Sequence, residues 1–220
     1  FLDASSTSVL DDDTWYDATS NTSCVSDPAY SNVKIGSSGF FRFPGKDNSY
    51  LDCGKSLLNG LSAFSVGVWV FPESLFNKEG PTGHNGWESG IVHQAGWGDD
   101  NFGMASTQQK SACYIDTGSN VVVNGPPLTV GTWSHLACVY NGSALQLYLN
   151  GELEGETSAA GTVIDNALVF RIGGGHTTNF SWDGDIASVA VWSSSLSSCA
   201  LNSAIVTQHP DVDGDDIFNP

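Results

Sequence analysis

Residues 133–156 read WSHLACVYNGSALQLYLNGELEGE and contain two Asn-Gly pairs, Asn141-Gly142 and Asn150-Gly151, each flanked by strand-forming residues. Asn-Gly is the strongest short signal for a β-hairpin, because both central residues of a type I′ turn need a positive φ. The stretch therefore predicts three antiparallel strands joined by two tight turns. Alternation along the middle strand predicts an inward face formed by Leu145, Leu147 and Leu149.

The segment 63–71, AFSVGVWVF, predicts a strand that is covered on both sides. One face carries only aliphatic and aromatic residues, namely Phe64, Val66, Val68 and Val70. The other face also carries large apolar side chains, Trp69 and Phe71. A strand that is apolar on both faces lies in the middle of a layered fold, so we expect 63–71 to be central.

Shorter apolar segments separated by Gly, Pro and Asn follow at intervals of about ten residues, which is typical of a sandwich or barrel. Segments 168–172 and 186–192 predict two further strands. Segment 196–206 predicts the one helix, beginning at Ser197 or Ser198. The fold class is therefore all-β with one short C-terminal helix.

Changes in composition divide the chain into three parts. Residues 1–39 are polar and acidic, and we expect them to pack on the sandwich as an N-terminal segment. Residues 40–207 form the predicted domain. Residues 208–220, HPDVDGDDIFNP after Gln208, have little to bury and predict an acidic linker or the start of an Asp-rich calcium repeat in a longer, processed precursor.

The charge balance excludes several classes of partner. Seven Lys and Arg stand against 24 Asp and Glu, a formal net charge of −17. Nucleic acids and anionic membranes need a basic surface, so neither is an expected partner. The longest apolar run is near 66–71, far short of the roughly 18 residues that a membrane span needs.

The cysteines and glycosylation sequons indicate an extracellular protein. Five cysteines occur without a CxxC pair or a zinc-like cluster, which favours disulfides. Three N-x-S/T sequons, at Asn21, Asn141 and Asn179, are consistent with passage through a secretory pathway. We therefore predict a secreted glycoprotein.

Four segments together resemble the laminin-G-like and pentraxin-like branch of the concanavalin A-like lectin/glucanase superfamily. They are AFSVGVWVF, GTWSHLACVYNGSALQLYLNG, FRIGG and FSWDGDIASVAVWSSSLS, and the resemblance covers roughly residues 40–206. It implies an antiparallel jelly roll of two curved sheets packed face to face. Periodicity alone predicts an all-β fold but does not distinguish a sandwich from a barrel.

The resemblance also bears on the disulfides. Pentraxins join two core strands by a disulfide whose positions correspond here to Gly67 and Ala137, and neither can form one. Cys138 lies one residue further along and points to the opposite face. We expect Cys138 to pair with Cys113 and Cys24 with Cys53, one of fifteen arrangements that leave one cysteine over. Cys199 would be unpaired or bonded to another chain.

The loop 79–102 carries the candidate metal ligands Asp99, Asp100 and Asn101. Calcium prefers carboxylate, amide and backbone oxygens, which this tripeptide supplies. The resemblance implies that Asp100-Asn101 matches a calcium-binding pair of pentraxins. The acidic loop of that double site corresponds here to residues 173–178, GGGHTT, so at most one ion is expected. The alternative is a solvated turn capped by an Asx side chain.

A second candidate metal site lies in the C-terminal tail, where carboxylates alternate around Gly214: Asp211, Asp213 and Asp215. The tail lacks the bidentate Glu that closes an EF-hand loop.

The candidate ligand-binding residues are aromatic or carry an imidazole. Trp87 and Trp97 are predicted to stack on sugar rings, and His176 in the Gly-rich loop 173–178 is the third candidate. The alternative for each Trp is burial at the rim of the sandwich. We assign Trp69, Trp133 and Trp192 to the core because they stand in strand segments.

Catalytic signatures are lacking in the sequence. There is no HExxH and no GxSxG motif. Related jelly-roll glycosidases present two carboxylates from alternate strand positions. Glu152, Glu154 and Glu156 do alternate, but directly after a hairpin turn with Leu153 between them, as on the solvent face of an edge strand. We therefore predict a protein that is not an enzyme.

Together these observations predict a secreted module that binds glycans or glycoproteins with the assistance of calcium. The alternative is a structural building block of an extracellular filament, coat or matrix, which assembles with copies of itself or with neighbouring domains of its precursor. The leftover Cys199 is compatible with such assembly.

Overall fold

The computed structural model describes residues 2–3, 14–16, 23–26, 34–35, 40–45, 49–75, 89–94, 101–174 and 181–207, with backbone only for the first, second and fourth of these ranges. These residues form sixteen strands and one helix: β1 (Leu2–Asp3), β2 (Thr14–Tyr16), β3 (Ser23–Ser26), β4 (Lys34–Ile35), β5 (Phe41–Pro44), β6 (Leu51–Asp52), β7 (Phe64–Pro72), β8 (Gly90–Gln94), β9 (Phe102–Ser106), β10 (Ser111–Asp116), β11 (Asn120–Gly125), β12 (Ser134–Tyr140), β13 (Ala144–Leu149), β14 (Glu152–Ser158), β15 (Phe170–Ile172), β16 (Asp183–Trp192) and α1 (Ser198–Thr207).

The strands form two eight-stranded antiparallel sheets packed as a sandwich. Sheet A has the order β14-β13-β12-β7-β16-β5-β4, with β1 also paired to β16. Sheet B has the order β11-β10-β9-β8-β15-β6-β3-β2. The predicted jelly-roll sandwich with one short C-terminal helix is confirmed. The N-terminal strands β1 to β4 contribute to both sheets, and the division at residues 39 and 207 stays a prediction.

Strand β7 is central, as its two apolar faces predict. Its neighbours in sheet A are β12 and β16. Phe64, Val66, Val68 and Val70 are fully buried in the core between the sheets. Trp69 faces the opposite side, the outer face of sheet A, where it is also buried.

The predicted three-stranded meander is confirmed, but only one of its turns has the predicted geometry. Asn150 and Gly151 both have positive φ, 50° and 85°, as a type I′ turn requires. At the other turn only Gly142 has a positive φ. There, Asn141 Oδ1 accepts hydrogen bonds from the backbone N–H groups of Ser143 and Ala144, at 2.9 and 2.8 Å. The Asn141 side chain closes a three-residue loop between β12 and β13.

Both predicted disulfides are present. Cys24–Cys53 joins the region of β3 and β6 within sheet B, and Cys113–Cys138 crosses the core from β10 to β12. Cys199 is free and exposed. Gly67 and Ala137 lie directly opposite each other on β7 and β12, on the outer face of sheet A. Cys138 therefore points inward, where it reaches the other sheet.

Helix α1 covers the middle of the outer face of sheet A. Ser197 precedes the helix and its Oγ accepts a hydrogen bond from Ala200 N–H, so Ser197 is the N-cap. Leu201 packs with Ala137, Val139 and Tyr148, and Ile205 packs with Trp69 and Ala187. In the described part of the chain, no helix is long and apolar enough to cross a membrane.

Candidate ligand-binding surface

Many of the predicted site residues lie outside the described residues. This holds for the metal candidates Asp99, Asp100, Asp211, Asp213 and Asp215, the ligand-binding candidates Trp87, Trp97 and His176, and the sequons at Asn21 and Asn179. These assignments stay predictions. Only Asn101 and Asn141 belong to the described part of the chain.

The described strands on either side of these segments show at which end of sheet B the chain leaves or enters each segment. Strands β8 and β15 are antiparallel neighbours, with Gln94 opposite Phe170 and Val92 opposite Ile172. The segment with Asp99 and Asp100 therefore leaves one end of the sheet, after Gln94. The segments with Trp87 and His176 join strands at the other end, before Gly90 and after Ile172. The sequence provides no signal for which ends of the described strands lie together, because this depends on strand pairing.

Asn101 lies in a group of hydrogen-bonded polar side chains, here called the amide cluster, formed by Asn59, Gln94, Asn101, Asp165 and Asn166. Asn101 is fully buried. Its Nδ2 donates to Asn59 Oδ1 and to the Ile164 carbonyl, both at 2.9 Å, and its Oδ1 accepts from Asn166 Nδ2. These three hydrogen bonds hold the Asn101 side chain between loops, and its role as a metal ligand stays a prediction.

Other members of the amide cluster are equally well satisfied. Gln94 Oε1 accepts from the backbone N–H groups of Leu57 and Leu58, at 2.7 and 3.1 Å. Its Nε2 donates to Asn59 Oδ1 at 2.6 Å, and Asn59 Nδ2 donates to Asp165 Oδ1 at 2.7 Å. The cluster joins the loops at this end of the sandwich, which is a structural role.

A different group of residues lies at the opposite end of sheet A, beyond the region covered by α1. Alternation brings side chains from adjacent strands onto one row of the outer face: Arg42 on β5 is opposite Asp185 on β16, and Asp185 is opposite Phe71 on β7. Glu73 follows two residues after Phe71. The ring of Trp133, which precedes β12, lies 5.6 Å from that of Phe71 and 6.0 Å from that of Phe40.

We call this group the Trp133 surface, and it consists of Phe40, Arg42, Phe71, Glu73, Trp133 and Asp185. Its three aromatic rings are only partly buried.

The prediction that Trp133 and Trp192 belong to the core is wrong in part, because both side chains are only partly buried. Both residues stand at the ends of strands, where the outer face of sheet A is only partly covered. Trp182, which carried no separate prediction, is fully buried instead.

The charged residues of the Trp133 surface form a connected ion group. Arg42 Nε and Nη2 bind the two carboxylate oxygens of Asp185, the latter at 2.8 Å, and Nη1 binds Glu73 Oε1. The Asp185 side chain is 5% exposed, whereas Arg42 and Glu73 are 37% and 45% exposed. The buried Asp185 carboxylate thus fixes the position of the Arg42 guanidinium, while Arg42 and Glu73 face solvent beside the aromatic rings.

The protonation of this ion group follows from burial and hydrogen bonding. Burial raises the pKa of the Asp185 carboxyl, although the hydrogen bonds from Arg42 act in the opposite direction. The hydrogen bond to Asp185 raises the pKa of Arg42. Arg42 therefore stays charged at any pH at which the protein is folded, and it acts as a fixed donor.

Gly184 sets the geometry of the Trp133 surface. Its φ is +145°, and a Cβ there would lie 2.1 Å from the Phe71 carbonyl oxygen and 2.9 Å from Glu73 N. The close approach allows Glu73 N–H to donate to the Asp183 carbonyl at 2.9 Å. A side chain at position 184 would separate β16 from the end of β7, on which Phe71 and Glu73 lie.

His135 lies on the same outer face, next to Trp69 and Gly67. It is fully buried, 5.5 Å from Trp69 between ring centroids, and neither imidazole nitrogen has a hydrogen-bond partner among the described residues. Burial lowers the pKa of His135 to about 3. The imidazole is therefore neutral in the folded protein near neutral pH, and it is unavailable to a ligand.

The remaining described candidates have simple surroundings. Asn141 is exposed, and its bonds to Ser143 and Ala144 use Oδ1, so they leave the nitrogen that glycosylation modifies available. Glu152, Glu154 and Glu156 are exposed on the edge strand β14, as predicted. Within the described ranges, no three His, Cys, Asp or Glu side chains are grouped so as to hold a metal ion.

Sequence reasoning missed the Trp133 surface, although part of the signal was present. Phe71 has the same parity as Trp69 in the segment 63–71, which puts it on the outer face. Arg42 likewise alternates with the buried Phe41 and Phe43. The sequence does not show that β5, β16 and β7 are adjacent, and only this adjacency joins the aromatic and charged residues.

The chain belongs to the concanavalin A-like lectin/glucanases superfamily, since a laminin-G-like family model of that superfamily matches residues 44–202, more than half of the chain. The resemblance seen in the sequence is thereby confirmed. A search of curated proteins gives no match.

Solved structures share the fold at low identity. Domain 4 of AbnA, a GH43 extracellular arabinanase from Geobacillus stearothermophilus, in complex with arabinotriose, is 19% identical with a TM-score of 0.59, covering 78% of this chain and 79% of that one. The heptameric SAP-like pentraxin from Limulus polyphemus is 20% identical with a TM-score of 0.55, covering 74% and 79%. The binding domain of Paraclostridial Mosquitocidal Protein 1 is 14% identical with a TM-score of 0.68, covering 94% and 51%. Identities this low establish the common fold alone.

Proposed function

We propose, on the premise of this superfamily membership, that the chain is a non-enzymatic carbohydrate-binding module whose Trp133 surface contacts the glycan. One observation carries the proposal: partly exposed aromatic rings lie beside accessible hydrogen-bonding groups on one face. Sugars present apolar C–H faces and hydroxyl edges, and such ligands are bound by aromatic surfaces with a few well-placed polar groups. The arabinotriose complex of the similar arabinanase domain supports a glycan as the ligand.

The ion group also argues for binding without catalysis. Glycoside hydrolysis needs two carboxylic groups that act as acid and as base or nucleophile. At the Trp133 surface the two carboxylates, Glu73 and Asp185, both bind the permanently charged Arg42. We expect the protein to release no product from oligosaccharides that it binds, as measured by chromatography of the sugars after prolonged incubation.

The proposed module acts outside the cell. Two disulfides join its strands, one of them across the core, and such bonds persist in oxidising compartments. The exposed sequon at Asn141 supports the same location. Expression through a eukaryotic secretory pathway, followed by intact mass before and after glycosidase treatment, tests whether Asn141 carries a glycan.

The central test replaces the partly exposed ring of Trp133. Trp133→Ala should weaken glycan binding by about tenfold or more, as expected for a central aromatic contact, with the fold retained. Trp192→Ala is the matched control, because Trp192 is a partly buried tryptophan on the same outer face that lies near Gly67, at the other end of β16 from Asp185. Binding is measured on an oligosaccharide array and by calorimetry. Equal binding by the two variants would contradict the proposal.

The proposal has a calcium-assisted form, which rests on Asp99 and Asp100 in the segment between β8 and β9. A bound ion would offset the repulsion between the two carboxylates. Because such an ion binds only the folded state, calcium at a hundredfold excess over its Kd should stabilise the protein by about 2.7 kcal/mol. We expect calcium to raise the melting temperature and Asp100→Ala to abolish the rise. An unchanged melting temperature on calcium addition and on chelation would contradict this form alone.

A second candidate function is assembly into an extracellular structure, favoured by the surface of α1. Cys199 is exposed on α1 with a free thiol, and Val206, one of the side chains that line the same shallow depression, is 62% exposed. A thiol at such a position can bond to another chain. Covalent multimers on non-reducing electrophoresis, lost in Cys199→Ser, would support assembly over binding as a soluble module.

A further inference from the structure

The ion group at the Trp133 surface leaves both donors and an acceptor unused. A guanidinium has five N–H groups, and Arg42 commits three of them to Asp185 and Glu73. Two N–H groups therefore remain. Glu73 uses Oε1 in this contact, and within the described part of the chain its Oε2 has no protein partner. A donor and an acceptor thus lie next to each other beside the Phe71 ring.

This arrangement matches a pair of adjacent sugar hydroxyls. Each hydroxyl donates one hydrogen bond and accepts others, so one hydroxyl can accept from Arg42 while its neighbour donates to Glu73. Bonds in which one partner is ionised are roughly twice as strong as those between neutral groups. The ring of Trp133 or Phe71 then offers its face to the C–H side of the same sugar.

The charge of the Trp133 surface disfavours an acidic ligand. Asp185 and Glu73 neutralise Arg42, and Asp183 adds a third carboxylate nearby, where it accepts a hydrogen bond from Ser74 Oγ. The backbone register puts one more basic residue, Lys34, opposite Arg42 on β4. Three acidic residues against two basic ones leave the surface negative, on a chain of net charge −17. A sulfate or carboxylate on the ligand would be repelled.

We infer that the Trp133 surface recognises uncharged glycans through vicinal hydroxyls and discriminates against sulfated and uronic-acid glycans. This inference rests on the proposed function and adds the class of ligand. Arg42 has the role of a hydrogen-bond donor held in place by Asp185, and it is not an anion-binding charge. The discrimination comes from Glu73 together with the buried carboxylate below it.

The test compares matched ligands. The probes are arabinotriose, xylotetraose, mannotetraose and galactotetraose, and the same four oligosaccharides each carrying one sulfate group. For every neutral probe that binds, its sulfated form should bind at least about tenfold more weakly in low-salt buffer. The difference should shrink as added salt screens the repulsion. Titration calorimetry measures both affinities.

One substitution isolates the source of the discrimination. Glu73→Gln keeps an acceptor oxygen but removes the charge, so neutral binding should weaken through loss of the charged hydrogen bond while the repulsion of sulfated probes is relieved, and the ratio of neutral to sulfated affinity should fall severalfold. Glu152→Gln is the matched control, with the same charge change on the exposed edge strand β14, and should leave the ratio unchanged. Equal or tighter binding of the sulfated probes, or equal ratios in both variants, would overturn the inference while glycan binding stands. Binding of no probe at all would overturn the proposed function together with it.

Discussion

The amide cluster and the Trp133 surface lie at opposite ends of the sandwich and use their polar side chains differently. Strand β7 separates them: Asn59 precedes its start at Phe64, and Glu73 follows its end at Pro72. In the amide cluster, Gln94 and Asn101 are fully buried and hydrogen-bonded to other parts of the protein through both their oxygen and nitrogen atoms. At the Trp133 surface, Arg42 and Glu73 keep free hydrogen-bonding groups that face solvent.

The difference shows why the presence of polar residues in a loop does not identify a binding site. Asn101 is a predicted metal ligand, yet its amide nitrogen and oxygen both bond to other loops and hold them together. Arg42 was not predicted as a site residue, and it combines a fixed position with unused donors next to partly exposed rings. A ligand needs groups that are both positioned and unsatisfied, and Arg42 and Glu73 provide them.

The largest effect is expected where the Trp133 surface depends on the backbone. Gly184→Ala should lower the free energy of unfolding by about 4 kcal/mol, through strain at a positive φ together with overlap onto the Phe71 carbonyl. Glycan binding should be lost as well, because Phe71 and Glu73 move. Gly118→Ala is the control. The φ of Gly118 is +95°, but a Cβ there would meet nothing within 4 Å, so this variant should lose only the free energy of the backbone strain. Equal losses in chemical denaturation would show that the close approach is unimportant.

Next in size is a change in the amide cluster. Asn101→Ala removes both hydrogen bonds donated by its amide and the one that it accepts from Asn166. Leaving buried polar partners unsatisfied should lower the free energy of unfolding by about 3 kcal/mol. Glycan affinity should stay unchanged, since the Trp133 surface lies at the far end of β7. A loss of affinity in a variant that is still folded at the assay temperature would break the distinction between the two regions.

His135 differs from both regions, because its imidazole is buried and yet has no hydrogen-bond partner among the described residues. The pKa of His135 is lowered to about 3 in the folded state, against 6.5 when unfolded, so the unfolded state binds more protons between these values. Stability contributed by the neutral imidazole is therefore full above pH 6.5 and falls as the pH drops towards 3. Between pH 6.5 and 4.5 the loss should be about 2.3 kcal/mol.

The measurement compares denaturation curves of the wild type and His135→Met across this pH range. Methionine fills an irregular apolar space without a titrating group. The raised pKa of Asp185 acts in the opposite sense, favouring the folded state at acid pH, but it is shared by both proteins and cancels in the comparison. Identical pH slopes would mean that His135 reaches solvent or a partner as it titrates.

The sequence predicted most of the fold because the relevant signals are local. Strand periodicity in 63–71, the Asn-Gly turn at 150–151 and the serine cap of α1 each act within a few residues. One turn was mispredicted, since Asn141 uses its side chain rather than a positive φ to close the loop. The disulfide pattern followed from the family resemblance together with strand parity, which points Cys138 inward towards Cys113.

Most of the candidate site could not be predicted from the sequence. Arg42, Phe71 and Asp185 are separated by up to 143 residues and become neighbours through strand order alone. The partial exposure of Trp133 depends on where α1 ends its coverage of sheet A, which no local pattern encodes.

The sequence by itself determined which residues face inward, where the turns and the helix begin, and that the surface is acidic, because these properties depend on side-chain chemistry and short-range periodicity. Tertiary structure alone decided which polar groups are satisfied. Asn101 and Glu73 carry similar oxygen acceptors, yet one is enclosed by partners brought from distant loops and the other is left open beside Phe71. Hydrogen-bond saturation and exposure are properties of packing, so they are set only when the two sheets and α1 are assembled.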